Sequence, residues 1–374
     1  MEKELYRKYV KEFLHLISLY LNKKEIDVEL SDEKIDFFYK FAAHHSLRAL
    51  FYKVLLETKV KVDPEKLKKF EEVYMLNLKK GVLFQRERVE VYKFLNDEGI
   101  DFLPLKGIVI NELYPDKHVR EFADNDILFG SKDKEIRDFF VSKGYEVEVF
   151  RRSNHDVYLK KPNYNFEMHR DLFAETEDNK ETVEYFKNYL QRAHVKSGHE
   201  RELSNEDFYI YFTAHTYKHF HVSGCGIRTL IDYYLFLKAK NLDFNYIEKE
   251  LKKLDLVDFS RKICSLSHKL FNEIPLDESE EEMLLFIASS GTYGILENAV
   301  NKGVGEKGKF RYFMSRVFPP LTFYKRAYKR AYKCRILIPI AWVMRTFRIL
   351  FKNNKRARDE IKVISKSKAK KKNK

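Results

Sequence analysis

Apolar residues recur at helical spacing through residues 3–22, and Ser31-Asp32-Glu33 opens a second such pattern that runs to Leu56. His44, His45 and Arg48 fall inside that second helix, where they read as polar members of a face packed on a core. Residues 65–98 predict one long helix that stops at Gly99. From Ile100 the period shortens. Strands are predicted at 100–105, 124–129, 145–150, 157–160 and 164–169, with helices at 108–113 and 132–142, the latter ending near Gly144. After Asp171 the pattern is helical again: 207–219 and 227–240, joined by the turn VSGCG, then 246–254, 260–271 and 280–289. The fold class expected is α+β, a small mixed sheet with helices on one side. The organisation expected is an N-terminal helical cap (1–99), a core (100–175), a C-terminal helical domain (176–310), and a basic amphipathic segment with a disordered tail (311–374).

Composition sharpens this in three ways. Only 13 glycines and 8 prolines occur in 374 residues, which favours long helices over a β-sandwich. Three cysteines without a CxxC argue for a reducing cytoplasm and against a structural zinc site. The first 21 residues are charged and amphipathic, so no secretory leader is predicted. The net charge of +14 is local: from Lys325 onward there are 19 Lys and Arg against two acidic residues, and the rest is near neutral. Nucleic acid is therefore not expected as the main substrate of the folded part. An RNA-binding reading would have to rest on the tail and show a steep salt dependence.

The last stretch has two readings. Residues 335–351 (RILIPIAWVMRTFRILF) are apolar but interrupted by Pro339, Arg345 and Arg348, too short and too charged to span a bilayer. One reading lays residues 335–374 against an anionic membrane at its inner face, with Trp342 and the arginines at headgroup level. The tail SKSKAKKKNK would then add roughly 1 kcal/mol per basic residue near the surface. The other docks the helix on the body and leaves a disordered tail.

The candidate chemistry lies between Asp101 and Asp171. Residues two apart in a strand share a face. Asp124 and Asp126 in ADNDILF therefore point one way, while Ala123, Asn125, Ile127 and Phe129 point the other. In NYNFEMHR the polar face holds Asn165, Glu167 and His169. If the two strands are neighbours, three carboxylates converge and repel unless a divalent cation sits among them, and oxygen ligands of this kind suit Mg²⁺. Asn125 falls on the core side and must be hydrogen-bonded there. An isolated Asp-x-Asp is also common on surface strands. GxxxxGK[ST] is absent, which argues against a Walker-type kinase.

Leu105-Lys106-Gly107, Tyr114-Pro115, the run from Arg120 to Asp124 and Asp126, and Glu167 just before a histidine resemble the bacterial uncharacterised nucleotidyltransferase family, within the DNA polymerase beta-like nucleotidyltransferase superfamily. The family's residue between the aspartates is normally apolar, and here it is Asn125. The resemblance implies transfer of a nucleoside monophosphate from a nucleoside triphosphate (ATP among them) to a small hydroxyl- or phosphate-bearing acceptor, such as a sugar or glycan precursor. It implies two Mg²⁺ ions on Asp124, Asp126 and Glu167, with Glu167 also taking the acceptor's proton. Lys106 and Gly107 would meet phosphate at a strand-to-helix junction. Arg120 would bind phosphate or orient an aspartate. Lys218 would reach the nucleotide from a helical segment that also holds His215, His219, Arg228 and Asp232. The alternative for the last two is a simple i,i+4 surface pair. A non-catalytic nucleotide-binding or regulatory protein on the same scaffold is the rival reading.

Overall fold

The first hundred residues form four helices, α1 (Lys3–Leu21), α2 (Asp32–His45), α3 (Arg48–Glu57) and α4 (Pro64–Asp97). A computed structural model of the chain describes residues 3–366, apart from residues 122, 163, 177, 293, 320, 322, 325–327 and 352–354. The single helix expected from Ser31 to Leu56 is two. Ser46 adopts a left-handed conformation (φ 53°), its N–H bonds back to Ala42 and Ala43, and Arg48 opens a new helix rather than lying within the old one. The break turns Phe51 onto α1, where it stacks on Phe13 with ring centroids 4.4 Å apart. The His44 carbonyl left at the break accepts the Thr292 N–H at 3.0 Å. His45 is fully buried: its Nδ1 accepts the Ile227 N–H at 3.1 Å, so Nε2–H donates to the Ala288 carbonyl at 3.1 Å. α4 starts on Asp63, whose side chain accepts from Glu65 and Lys66 amides, with Pro64 in the first turn. It ends before Gly99 (φ 65°), as expected.

The sheet has seven strands among the described residues: β1 (Phe102–Pro104), β2 (Asn125–Phe129), β3 (Glu146–Val149), β4 (His155–Lys160), β5 (Tyr164–His169), β6 (His194–Ser197) and β7 (Glu200–Glu202). Their order is β3-β4-β5-β2-β1-β7-β6. β2 runs parallel to β5 and antiparallel to β1, so the sheet is mixed. Two helices lie between the strands, α5 (Gly107–Asn111) and α6 (Asp133–Ser142). The β6–β7 hairpin departs from the expected all-helical second half. Its residues are polar and largely exposed, so no apolar alternation marks it. It is held to the edge by pairing with β1 at Phe102 and Glu200 and by the Phe102 N–H donating to the His199 carbonyl at 3.0 Å.

Beyond the sheet come α7 (Lys180–Phe186), α8 (Tyr189–Arg192), α9 (Asn205–Val222), α10 (Ile227–Ala239), α11 (Phe244–Lys252), α12 (Val257–Phe271) and α13 (Glu278–Ser290). Helices cover both faces of the sheet, not one. On one face Phe102, Ile127, Phe129, Phe166 and Met168 pack with Val91 and Leu95 of α4 and Ile136 and Phe140 of α6. On the other, Leu103, Leu105 and Leu128 join a large core shared by α1–α3 and by α9, α10, α12 and α13. A strand buried on both sides cannot show polar alternation along its whole length, and all five residues of β2 are buried. Asn125 is half satisfied: its Oδ1 accepts from Arg88 Nη1 at 3.2 Å, while its Nδ2 is buried without a partner among the described residues.

The chain after α13 builds helices at Leu296–Lys307, Lys309–Val317, Ile338–Phe351 and Lys355–Lys366, around small cores of its own. Trp342, at headgroup level in one of the two readings, stacks on Phe318 and donates its indole N–H to the Val317 carbonyl at 2.9 Å. Arg345 is likewise engaged, donating to the carbonyls of Val317 and Arg316. Residues 355–366 are helical where a tail was expected to begin at 365, and residues 367–374 lie outside the described residues. Among the described residues no helix is long and apolar enough to cross a membrane.

Phe140 is fully buried and stacks on Tyr158 at 4.2 Å with the rings 7° from parallel. Phe140→Ala should lower stability by about 3–5 kcal/mol, read from the denaturant midpoint, through lost burial and the cavity left behind.

Candidate active site

β1 leads through Leu105, whose N–H donates to the Asp126 carbonyl at 3.0 Å, into Lys106 at φ 42°. A positive φ is costly for a residue with a side chain and persists only where the surroundings impose it. From that position the Lys106 ammonium donates to Asp126 Oδ1 at 2.9 Å. The helix that follows, α5, is five residues long, and the amides of Ile108 and Val109 already donate to the carbonyls of Leu105 and Lys106. The phosphate-binding amides expected at this junction are therefore largely used within the turn, and Lys106 faces a carboxylate.

The parallel pairing of β2 with β5 sets Asp126 opposite Glu167 and Leu128 opposite His169. The faces expected for Asp126 and Glu167 are those observed; Asp124 falls just before β2, which starts at Asn125, and all three acids line one cavity, as does Ala123, expected to face the other way. His169 Nε2 lies 2.7 Å from the same Asp126 Oδ1 that receives Lys106. Burial opposes charge on Asp126, but Lys106 and the His169 hydrogen bond hold its carboxyl well below the usual carboxylate range. At the other two acids the nearby cations, Lys106 for both and Arg228 and Arg120 for Asp124, do not offset burial and mutual repulsion. Burial and then Asp126 raise Asp124, and burial, Asp126 and Asp124 push Glu167 up to about 7. Burial lowers His169 despite its aspartate neighbour. Negative charge at Asp124 and Glu167 is thus only partly offset by cations of the chain.

The segment that carries Asp124 is fastened by a buried pair. Arg120 donates from Nε and Nη2 to the two oxygens of Asp232 at 3.0 and 2.9 Å, and the Tyr114 hydroxyl donates to Asp232 at 2.7 Å. Arg120 and Asp232 are both under a tenth exposed. Arg228 does not pair with Asp232 across one helical turn; it donates to the Glu121 carbonyl. The Glu121 carboxylate accepts the Ala49 N–H at the start of α3 at 3.1 Å. Gly107 lies beneath this pair: a Cβ there would stand 2.7 Å from Arg120 Nη1. Gly107 thus admits the guanidinium, and Arg120 acts on Asp124 by holding its loop.

The cavity has a volume of about 420 Å³. Lys106, Gly107, Arg120 and Lys218, singled out for nucleotide contact, all line it with the three acids. Lys218 lies with its ammonium 5.9 Å from the ring centre of Phe173. His215 and His219 face each other, Nε2 to Nε2 at 3.2 Å, and burial lowers both. His155 was not anticipated. It stands directly opposite His169 in the β4–β5 hairpin, and Val157 stands opposite Glu167. Folding the sequence about Pro162 gives that register and would have found it. A larger cavity of about 790 Å³ adjoins at Asn154, but its Arg151 and Arg170 are engaged by Asp133 and Asp156, and among the described residues its acids form no cluster able to hold an ion.

Residues 31–272 match a family model described as uncharacterised nucleotidyltransferase. The chain belongs to that family. No curated protein and no solved structure matches it. The matched span starts at the residue capping α2, ends after α12, and contains every residue of the cavity except Thr292. Family membership makes the protein a transferase of the nucleotidyl class, acting on a nucleotide.

For this nucleotidyltransferase, Asp232→Ala should cost about 3–5 kcal/mol in a denaturant titration, because it strands Arg120 in the interior. Arg120→Met combined with Asp232→Leu should recover much of that loss, since no charge is then left buried.

Proposed function

We propose that the cavity transfers a nucleoside monophosphate from a nucleoside triphosphate to a small hydroxyl- or phosphate-bearing acceptor, in the manner of polymerase beta-like enzymes. The observation that carries this reading is the in-register pair Asp126–Glu167, with Asp124 joining it in a cavity that also holds Lys106, Lys218 and Arg228. Asp124, Asp126 and Glu167 would hold Mg²⁺, two ions in the full site, which when bound offset the triphosphate's charge and the charge on the attacking and leaving oxygens. Glu167, which faces the cavity from β5, would accept the proton of the acceptor hydroxyl. The acceptor oxygen forms the new bond to the α-phosphorus as the bond to the β-phosphate oxygen breaks, and pyrophosphate leaves. Lys218 and Arg228 favour the polyphosphate by charge. Lys106 keeps Asp126 ionised.

The volume of the cavity and its paired imidazoles, His215 and His219, suit a small polar acceptor such as a sugar or glycan precursor. A cytoplasmic protein touching the inner membrane face through residues 335–374 is supported by the exposed stripe Ile336, Ile340, Val343 and Phe347 and by the basic sequence around it. The rival, a regulatory nucleotide-binding protein, is favoured by one observation: Lys106 already neutralises the central aspartate.

Incubation with each labelled triphosphate and Mg²⁺, against a panel of metabolites, sugars, RNA and proteins, should give a product heavier by one nucleotide. Asp126→Asn should abolish that product, with some loss of stability because Lys106 loses its counter-charge. Metal-independent nucleotide binding that is identical in wild type and Asp124→Ala would support the regulatory rival instead. Glu167→Gln should lower kcat by about 10²–10⁴-fold while nucleotide still binds, as measured by single-turnover kinetics and by direct titration.

A further inference from the structure

Two imidazoles stand beside the third acid, and the mechanism above uses neither. His155 and His169 are cross-strand partners in the β4–β5 hairpin, and Glu167 sits two residues before His169, so all three share one face. Both Nε2 atoms lie 3.7 Å from the same oxygen, Glu167 Oε2. One ligand atom from each residue can be chosen so that all lie within 4.8 Å of one another. All three residues line the cavity.

We infer that His155, Glu167 and His169 form a second cation site, with two nitrogen donors and one oxygen donor, for a borderline divalent ion of the Mn²⁺, Co²⁺ or Zn²⁺ class. Bonds of about 2.0–2.2 Å from metal to imidazole and carboxylate need only a small inward movement of donors spaced like these. Mg²⁺ prefers an all-oxygen shell, whereas imidazole suits the later first-row ions. Three protein ligands leave coordination positions open to the cavity, as exchangeable sites require. His155 supplies a further indication. Its Nε2, the nitrogen nearer Glu167, is beyond hydrogen-bond distance of that carboxylate. A polar ring brought into a cavity in this way lacks an interaction that an ion would supply. When His169 ligates, it gives up its contact with Asp126, which keeps Lys106.

The site shares Glu167 with the proposed transfer centre but is defined by its two imidazoles, and its test uses metal alone. Full-length protein stripped with chelator is titrated with Co²⁺ and followed by visible absorption, and the Mn²⁺ form is examined by pulsed electron paramagnetic resonance for coupling to ¹⁴N. The expected result is one tight equivalent with nitrogen coupling. His155→Ala should weaken it by roughly tenfold or more, and Asp124→Asn should leave it intact. Absence of nitrogen coupling in the wild type overturns the assignment, whether or not His155→Ala folds. So does unchanged binding in a folded His155→Ala, or loss of binding in Asp124→Asn, which would place the ion on the aspartates. Failure of Mg²⁺-dependent nucleotide transfer with this binding intact would remove the proposed reaction and leave the site standing.

Discussion

The constraint on which the rest depends is the register of two parallel strands. β2 and β5 are joined by more than thirty residues of intervening chain, yet a slip of a single residue would turn Glu167 away from Asp126 and into the aromatic layer of Phe140 and Tyr158. The apolar side prevents this. Ile127 and Phe129 on one strand and Phe166 and Met168 on the other have a partner only in the observed register, against Phe140 and Ile136 of α6. The hairpin β4–β5 adds six residue pairs that leave β5 no freedom to slide. The polar face is therefore positioned by hydrophobic packing on the reverse of the same sheet.

Charge then has to be tolerated where the packing has put it. Asp126 is the most enclosed of the three acids and the one with partners, Lys106 from the β1–α5 turn and His169 from the neighbouring strand. Asp124 lies outside the strand, and its place is set by a loop pinned from three directions: Arg120 to Asp232 on α10, Arg228 to the Glu121 carbonyl, and the Glu121 carboxylate to the first turn of α3. Helices from both ends of the chain thus hold an element of the sheet domain. A buried ion pair of this kind contributes little net stability, but it tolerates few alternative arrangements, and so it keeps the loop that carries Asp124 in one place.

What could be read in advance follows from the range of the interactions. Period-two alternation in ADNDILF and NYNFEMHR is a local property, and it gave the faces of Asp126 and Glu167 correctly. The Ser46 break was hidden because its cause is distant: the freed carbonyl of His44 is met by Thr292. The Arg120–Asp232 pair spans 112 positions, so the nearer Arg228 looked like the natural partner in sequence. The β6–β7 hairpin is held by edge pairing rather than by burial, and its residues carry no hydrophobic period to detect. Helices on both faces of the sheet were likewise obscured, because α4 divides its residues between two cores and neither half shows a clean stripe.

The family match and the hydrophobic cores divide the chain differently, and the difference is informative. The match begins at residue 31, yet α1 lies outside it and is inseparable from the body: Phe13 stacks on Phe51, and Ser18 and Asn22 donate to the Phe271 carbonyl at the end of α12. Beyond residue 290 the reverse holds. Val300, Val304 and Ile364 close one small core, and Tyr324, Ala331 and Ala341 another, neither continuous with the sheet. Among the described residues the body is tied to this region at the α9–α10 turn, where the Ile295 N–H and Asn298 Nδ2 donate to the Ser223 carbonyl, and at the α2–α3 break, where the Thr292 N–H meets His44. The α9–α10 turn lies between the helices that carry Lys218 and Arg228, so the C-terminal helices abut the wall of the cavity without entering the acid cluster.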